Sequence, residues 1–320
     1  MTLPCLRRPP GRRPWCRPAT ALATAALLLA ASAAQAGSPV FCGQGPELTA
    51  RQQDRLLQFA ARIKQQLDAS GSRVALVSRS GLDLDRFQLR YSHAGISLKA
   101  SANGAWSVRQ LYYACDESRP RLYDQGMAGF VMGNDRPDTG FVSLVLLPDD
   151  AGAALQAAAL DNPRALSLLA ARYSANAYPF SQRYQNCNQW VAELMALAWA
   201  PLPAAPSPDG GRPPRAAAQQ WLRDAGYAPV PVAVNSHALM FAGPFVPWIH
   251  LDDHPQDDLY ALKLQVSLPT ALEAFVQRQV PGARRLELCH DGQQVVLRRG
   301  WQPMGPGCRA EAGDEVFELN

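Results

Sequence analysis

Apolar positions at helical spacing mark the first element after the leader. Leu56, Leu57, Ala60, Ile63 and Leu67 recur every three to four residues, Thr49 and Gln52 in front of them form a capping box, and Gly71 stops the run. The pattern then changes. Val74 to Val77 is a short apolar strand, Gln88 to Lys99 a second strand and Trp106 to Tyr113 a third, with Asn103-Gly104 turning the chain between the last two. Phe141 to Leu147 is apolar throughout, as a buried strand would be. Helical patterns follow over Asp149 to Leu160, after Asn162-Pro163, over Asn186 to Ala200 and over Arg215 to Ala225, where Gly226 stops the last. Pro201 to Pro214 reads as an exposed, mobile loop, placed where it could cover whatever the preceding helix presents. A helix over Pro269 to Gln279 and a terminal hairpin over Leu286 to Leu297, split by Asp291-Gly292, complete an α+β chain.

The first 36 residues follow a different pattern. Arg7, Arg8, Arg12, Arg13 and Arg17 precede the apolar run Ala21 to Ala31, and Ala34-Gln35-Ala36 supplies small residues for a signal peptidase. The run falls short of a membrane anchor, so cleavage is expected, with a mature chain beginning near Gly37 in the periplasm or outside the cell. No later stretch is long enough to span a bilayer. Loss of the leader changes the charge balance: 31 basic residues become 26 (31 − 5) against 27 acidic ones. A near-neutral chain with no basic run interleaved with aromatics is not a nucleic-acid binder.

Five cysteines follow Gly37: Cys42, Cys115, Cys187, Cys289 and Cys308. In an oxidising compartment an odd count leaves one thiol over. Cys187 stands in Asn186-Cys187-Asn188-Gln189-Trp190-Val191, where a loop becomes an amphipathic helix. The unpaired N–H groups and dipole of a helix start favour a thiolate there and could steady an oxyanion; a buried structural cysteine fits the same position. His93 lies in Ser92-His93-Ala94-Gly95-Ile96, and alternation would put Leu89, Tyr91, His93, Gly95 and Ser97 on one face. Gly95, with no side chain, would leave room beside the imidazole for another element such as a helix start.

A strand histidine followed 94 residues later by a helix-start cysteine resembles the circularly permuted, papain-like hydrolases of the NlpC class. The resemblance runs from about Val74 to Ala200. It implies Cys187 as nucleophile, His93 as base, and an orienting residue on the next strand, where Gln110 is the polar member of the face Trp106, Val108, Gln110 and Tyr112. The wider chain resembles an uncharacterised bacterial family, domain of unknown function 2145, through Ser78-Arg79-Ser80-Gly81, Arg90 to Gly95, Asn186-Cys187-Asn188 and His250-Leu251-Asp252-Asp253-His254-Pro255. The expected organisation is a signal peptide over 1–36, a permuted papain-like core over 37–200, the Pro-rich loop over 201–214, and a C-terminal α/β elaboration over 215–320.

No cofactor or metal is expected. His250 and His254 are four apart, but Pro247 and Pro255 argue against the helix that would align them on a metal, and a hydrogen-bonded surface turn is expected instead. Asp149-Asp150 and Asp257-Asp258 read as helix-start or solvated acids. With Cys187 free, the remaining cysteines are expected to pair as Cys42–Cys115 and Cys289–Cys308, the latter flanking the terminal hairpin and remote from the site. The functional expectation is a cysteine hydrolase or acyltransferase acting on amide or ester bonds of the cell envelope, a peptidoglycan peptide or a lipid. Its alternative is a non-catalytic binding or structural module that keeps the fold. Oligomeric state is left open.

Overall fold

A computed structural model describes residues 47–82, 84–200 and 214–319. The leader, Cys42, the Gly37 cleavage point and all of the Pro-rich loop but Pro214 lie outside the described residues. The fold is mixed, built on one eight-stranded antiparallel sheet with helices on both faces. No helix among the described residues is long and apolar enough to cross a membrane.

Helix α1 (Ala50–Ala69) starts at the capping box: Thr49 accepts from the Gln52 N–H, and the Gln52 side chain reaches back. Then come β1 (Val74–Arg79), a 3-10 turn (Asp85–Phe87), β2 (His93–Leu98), β3 (Ser107–Ala114), β4 (Arg119–Gln125), helix α2 (Met127–Met132) and β5 (Gly140–Leu146). Next are α3 (Asp149–Leu160), α4 (Asn162–Ser167), α5 (Cys187–Trp199) and α6 (Pro214–Asp224). The chain ends with β6 (Val230–Ala233), α7 (His237–Ala242), α8 (Gln256–Tyr260), β7 (Lys263–Val266), α9 (Pro269–Gln279), β8 (Arg284–His290), β9 (Gln294–Arg299) and β10 (Glu315–Glu318). The sheet order is β10-β9-β8-β5-β1-β2-β3-β4, and β6 and β7 form a separate hairpin.

The sheet has two apolar faces, so its central strands are buried along their whole length. On one face Phe59 and Ile63 of α1 and Phe130 of α2 pack on Val77, Val108, Leu144 and Leu288. On the other lie α3 and α5. Gly152 of α3 passes so close to Val74 that a Cβ there would meet its Cγ1 at 3.2 Å, and the Trp199 indole donates to the Ala151 carbonyl at 3.1 Å. Helix α5 is buried on all sides from Cys187 to Leu197, unlike the amphipathic helix with one apolar face that its sequence suggests.

Three differences from the sequence reading bear on the site. The second strand begins at His93, because Gln88 closes the 3-10 turn in the left-handed region (φ 59) and residues 89–92 stay outside the ladder. Leu89, Tyr91 and His93 therefore do not share a face: Leu89 packs against the β6–β7 hairpin, Tyr91 donates to Glu287, and His93 turns to Gln110. The C-terminal segment is also more than an addition to a finished core. Strands β8 and β9 complete the main sheet, β8 pairing with β5 from Gly140↔His290 to Leu146↔Arg284.

Candidate active site

Cys187 is the first residue of α5, and the two asparagines beside it fix that start in space. Asn186 is the N-cap: its side-chain oxygen accepts from the Gln189 N–H at 2.7 Å, and its Nδ2 donates to the carbonyls of Ala175 and Ser267. Asn188 donates through Nδ2 to the carbonyls of Ser92 and Ser267, both at 3.1 Å. The helix start is thereby tied to the residue just before His93. Deeper in α5, buried Glu193 binds Arg215 of α6, Gln185, Gln189 and Gln219, which fastens the turn before Cys187 to two helices.

The thiol lies at the start of β2. The backbone N–H groups of Asn188, Ala94 and Cys187 itself lie near enough to the sulfur to favour its thiolate. Cys187 is a free cysteine, 6% exposed, and His93 is 8% exposed. His93 Nε2 lies 2.7 Å from Gln110 Oε1, and Gln110 Nε2 donates to Gln125 Oε1 at 2.7 Å. The second bond sets the direction of the first, because it commits the Gln110 amide nitrogen to Gln125 and leaves its oxygen for the imidazole. The ring is held between Tyr112, with centroids 5.0 Å apart, and Phe130, at 6.0 Å. No hydrogen bond joins thiol and imidazole directly. Gly95 does leave space, but β3 fills it: a Cβ there would come within 2.5 Å of Val108 Cγ1 and 3.1 Å of Gln110 Cβ.

Burial dominates the electrostatics. It pushes the Cys187 thiol up to about 11, against the pull of the Asn188 N–H, the Arg79 charge and the Ala94 N–H. Burial and then the Arg79 charge bring His93 down to about 3, and the bond to Gln110 offsets only part of that. The helix-start position alone suggests a depressed thiol pKa; enclosure reverses the sign. At neutral pH the two groups are a thiol and a neutral imidazole, and the ring proton sits on Nε2, because Gln110 Oε1 can only accept.

The remaining candidates separate from this cluster. The His250 ring stacks on Tyr184 with centroids 4.3 Å apart, while buried His254 has Nε2 2.7 Å from the Asn176 carbonyl. His254 is thus interior rather than on a surface turn, and among the described residues no group of three ligating side chains gathers to hold a metal. Asp149 and Asp150 stand in the first turn of α3, Asp257 and Asp258 in that of α8. Cys289 and Cys308 form a disulfide. Cys115 is disulfide-bonded, and Cys42, expected to be its partner, lies outside the described residues. The sequence reading gave two contributors no role at the site. Gln125 ends a strand, β4, whose Pro120 and charged residues hide its pattern. Arg79 was visible as a single cation closing the apolar run Val74 to Val77.

No curated protein and no solved structure matches this chain. A family model described as an uncharacterized protein conserved in bacteria matches residues 66–276, which hold Arg79, His93, Gln110, Gln125 and Cys187. By that match, which spans most of the chain, the protein belongs to the bacterial DUF2145 family.

Proposed function

We propose that this protein is an exported, papain-like thiol hydrolase or acyltransferase that acts on amide or ester bonds of the cell envelope. In this reading Cys187 is the nucleophile, His93 the base and Gln110 the residue that orients it. One observation carries it: the helix start that bears the thiol is tied through Asn188 to the Ser92 carbonyl, next to a histidine whose Nε2 is fixed by a neighbouring-strand amide. The order along the chain, histidine strand before cysteine helix, is that of the permuted papain-like class.

The chemistry follows from the two neutral groups. As Sγ bonds to the carbonyl carbon, its proton passes to His93 Nδ1, and the carbonyl oxygen takes the negative charge. The imidazolium then gives that proton to the departing amine or alcohol. Water, or an acceptor hydroxyl or amine, loses a proton to His93 and releases the acyl group from sulfur. Contacts between a base and its nucleophile commonly tighten only when substrate is bound. Gln110 is a neutral partner for the imidazolium and steadies it less than a carboxylate would. Two features support export: the arginine-led apolar leader ending in Ala34-Gln35-Ala36, and the Cys289–Cys308 disulfide, a bond at home in an oxidising compartment.

A second reading, a non-catalytic envelope module that keeps the fold, is favoured by the missing thiol–imidazole hydrogen bond and by the enclosure of both groups. Thiol alkylation with peptide mapping separates the two. The enzyme reading expects Cys187 to label at a rate that climbs with pH toward about 11, and about tenfold more slowly in His93→Gln. Equal rates in the two proteins would favour the inert module. Intact mass of the protein recovered from the periplasm should place the first residue at or near Gly37; retention of residues 1–36 would remove the export part.

A further inference from the structure

Arg79 closes β1 and is the cross-strand partner of His93. It is 5% exposed. Nη1 donates to the carbonyls of Ser80, at 3.1 Å, and Gly133; Nη2 donates to the Tyr112 hydroxyl at 2.9 Å. The Phe130 ring lies 5.4 Å from the guanidinium carbon. Two glycines make the space: a Cβ at Gly81 would lie 2.6 Å from Nη1, and one at Gly133 2.6 Å from Nη2.

What this arginine lacks sets it apart. Three other arginines are comparably buried, and each holds a carboxylate: Arg215 binds Glu193, Arg285 binds Glu273 and Glu287, and Arg298 binds Asp314. Arg79 forms no ion pair among the described residues, and its buried Nε has no acceptor. A buried cation held only by neutral oxygens is costly unless an anion comes to it. Its charge already bears on both His93 and Cys187.

We propose that Arg79 is a receptor for a carboxylate carried by the substrate close to the carbonyl that Cys187 attacks. This rests on Cys187 being the nucleophile and adds the substrate class, acyl compounds with a negative charge near the scissile bond. The donors left on Arg79 are the Nε hydrogen and one Nη2 hydrogen, and a guanidinium that offers two hydrogens is matched to a carboxylate. Lysine at this position would supply the charge without the fork.

Alkylation of Cys187 in the full chain by iodoacetate and by iodoacetamide, read by peptide mapping, tests this without knowledge of the natural substrate. Each reagent forms an S–C bond, expels iodide and releases the thiol proton, and only iodoacetate brings a carboxylate. The iodoacetate-to-iodoacetamide rate ratio at Cys187 should exceed that of glutathione by about tenfold, equivalent to one pKa unit of charge interaction. It should stay flat between about pH 5 and pH 9, because guanidinium does not titrate there. The titratable groups beside Arg79 are His93, its cross-strand partner on β2, and Tyr112 from β3, and its charge also acts on Cys187 at the start of α5; α2 and the residue after it contribute Phe130 and Gly133. A preference owed to a His93 imidazolium would instead fade as pH rises. Arg79→Met should bring the ratio to that of glutathione, and Arg79→Lys should keep part of it. If Arg79→Met does not fold, the wild-type ratio and its flatness still decide. A wild-type ratio equal to that of glutathione, or one that falls with rising pH, overturns the carboxylate receptor and leaves the nucleophile standing. Failure of both reagents to label Cys187 overturns both.

Discussion

Gln110 accepts a hydrogen bond from His93 across the gap between β2 and β3, Oε1 to Nε2 at 2.7 Å, and thereby decides which imidazole nitrogen keeps its proton. A carboxylate at the same place would act through the same atom with a full charge. Gln110→Glu is therefore expected to raise the His93 pKa by at least about one unit from its depressed value, since an adjacent anion stabilises imidazolium. Histidine NMR titration of the two proteins measures this. An unmoved His93 resonance would show that the bond does not persist in solution.

Acid should unfold the protein through its buried imidazoles. His93 is held down to about 3 and His290 to about 4, both mainly by burial, from an ordinary value of 6.5. Between those values and 6.5 the unfolded chain binds protons that the native protein refuses. Stability is therefore complete above about pH 6.5 and falls as pH drops toward 3–4. A shift the size of that at His93 corresponds to about 5 kcal/mol at full acidification. Urea unfolding between pH 7 and pH 4 should show the decline, and His93→Gln should remove about half of its slope. A pH-independent midpoint would contradict the enclosed, neutral imidazoles.

Gly95→Ala should damage the site without touching Cys187. The new methyl carbon would lie 2.5 Å from Val108 Cγ1 and 2.9 Å from the Arg109 carbonyl, so β3 must move and carry Gln110 with it. Overpacking of this kind costs about 1–3 kcal/mol. Denaturant melts should show that loss, together with a shifted His93 resonance; Gly104→Ala, in the turn between the same strands, should leave that resonance in place.

The Cys289–Cys308 bridge reaches closer to the site than the sequence suggests. It closes the loop holding Met304 and Gly305; the Met304 N–H donates to Glu287 at 2.7 Å, and the Gly305 carbonyl accepts from Arg90 at 3.0 Å. Glu287 also accepts from Tyr91, so the loop bears on both residues that lead into Ser92 and His93. The paired Cys289→Ser, Cys308→Ser variant should lose about 3 kcal/mol of stability for a 19-residue crosslink and also change the Cys187 alkylation rate. An unchanged rate would restore the view that this bridge and the site are independent.

The legible parts of the fold were those written in local patterns. The capping box, α3 and α9 fall where residue spacing places them, and the Asn186 cap announces the start of α5. What escaped was set by distant partners. β4, with Pro120, Arg119, Arg121 and Asp124, is an edge strand defined by pairing with β3 rather than by an apolar stripe. The direction of Tyr91 depends on Glu287, almost 200 residues later, and strand alternation cannot anticipate it. The same holds for the ionisation of Cys187. Its place on a helix was readable, but the burial that outweighs the helix start comes from the whole fold.

The pairing of β5 with β8 sets a condition on how the chain can be made. β5 ends at residue 146, whereas its outer neighbour begins at residue 284, so one edge of a central strand stays open while 138 residues (284 − 146) are added. Tyr91 and Arg90 lack their carboxylate until the same moment. Pairing over so long a separation is slow, and a chain stopped short of β8 presents a bare apolar strand to others like it. Closure of the sheet thus waits for β8, and until that strand has been made the open edge of β5 must be kept from other chains.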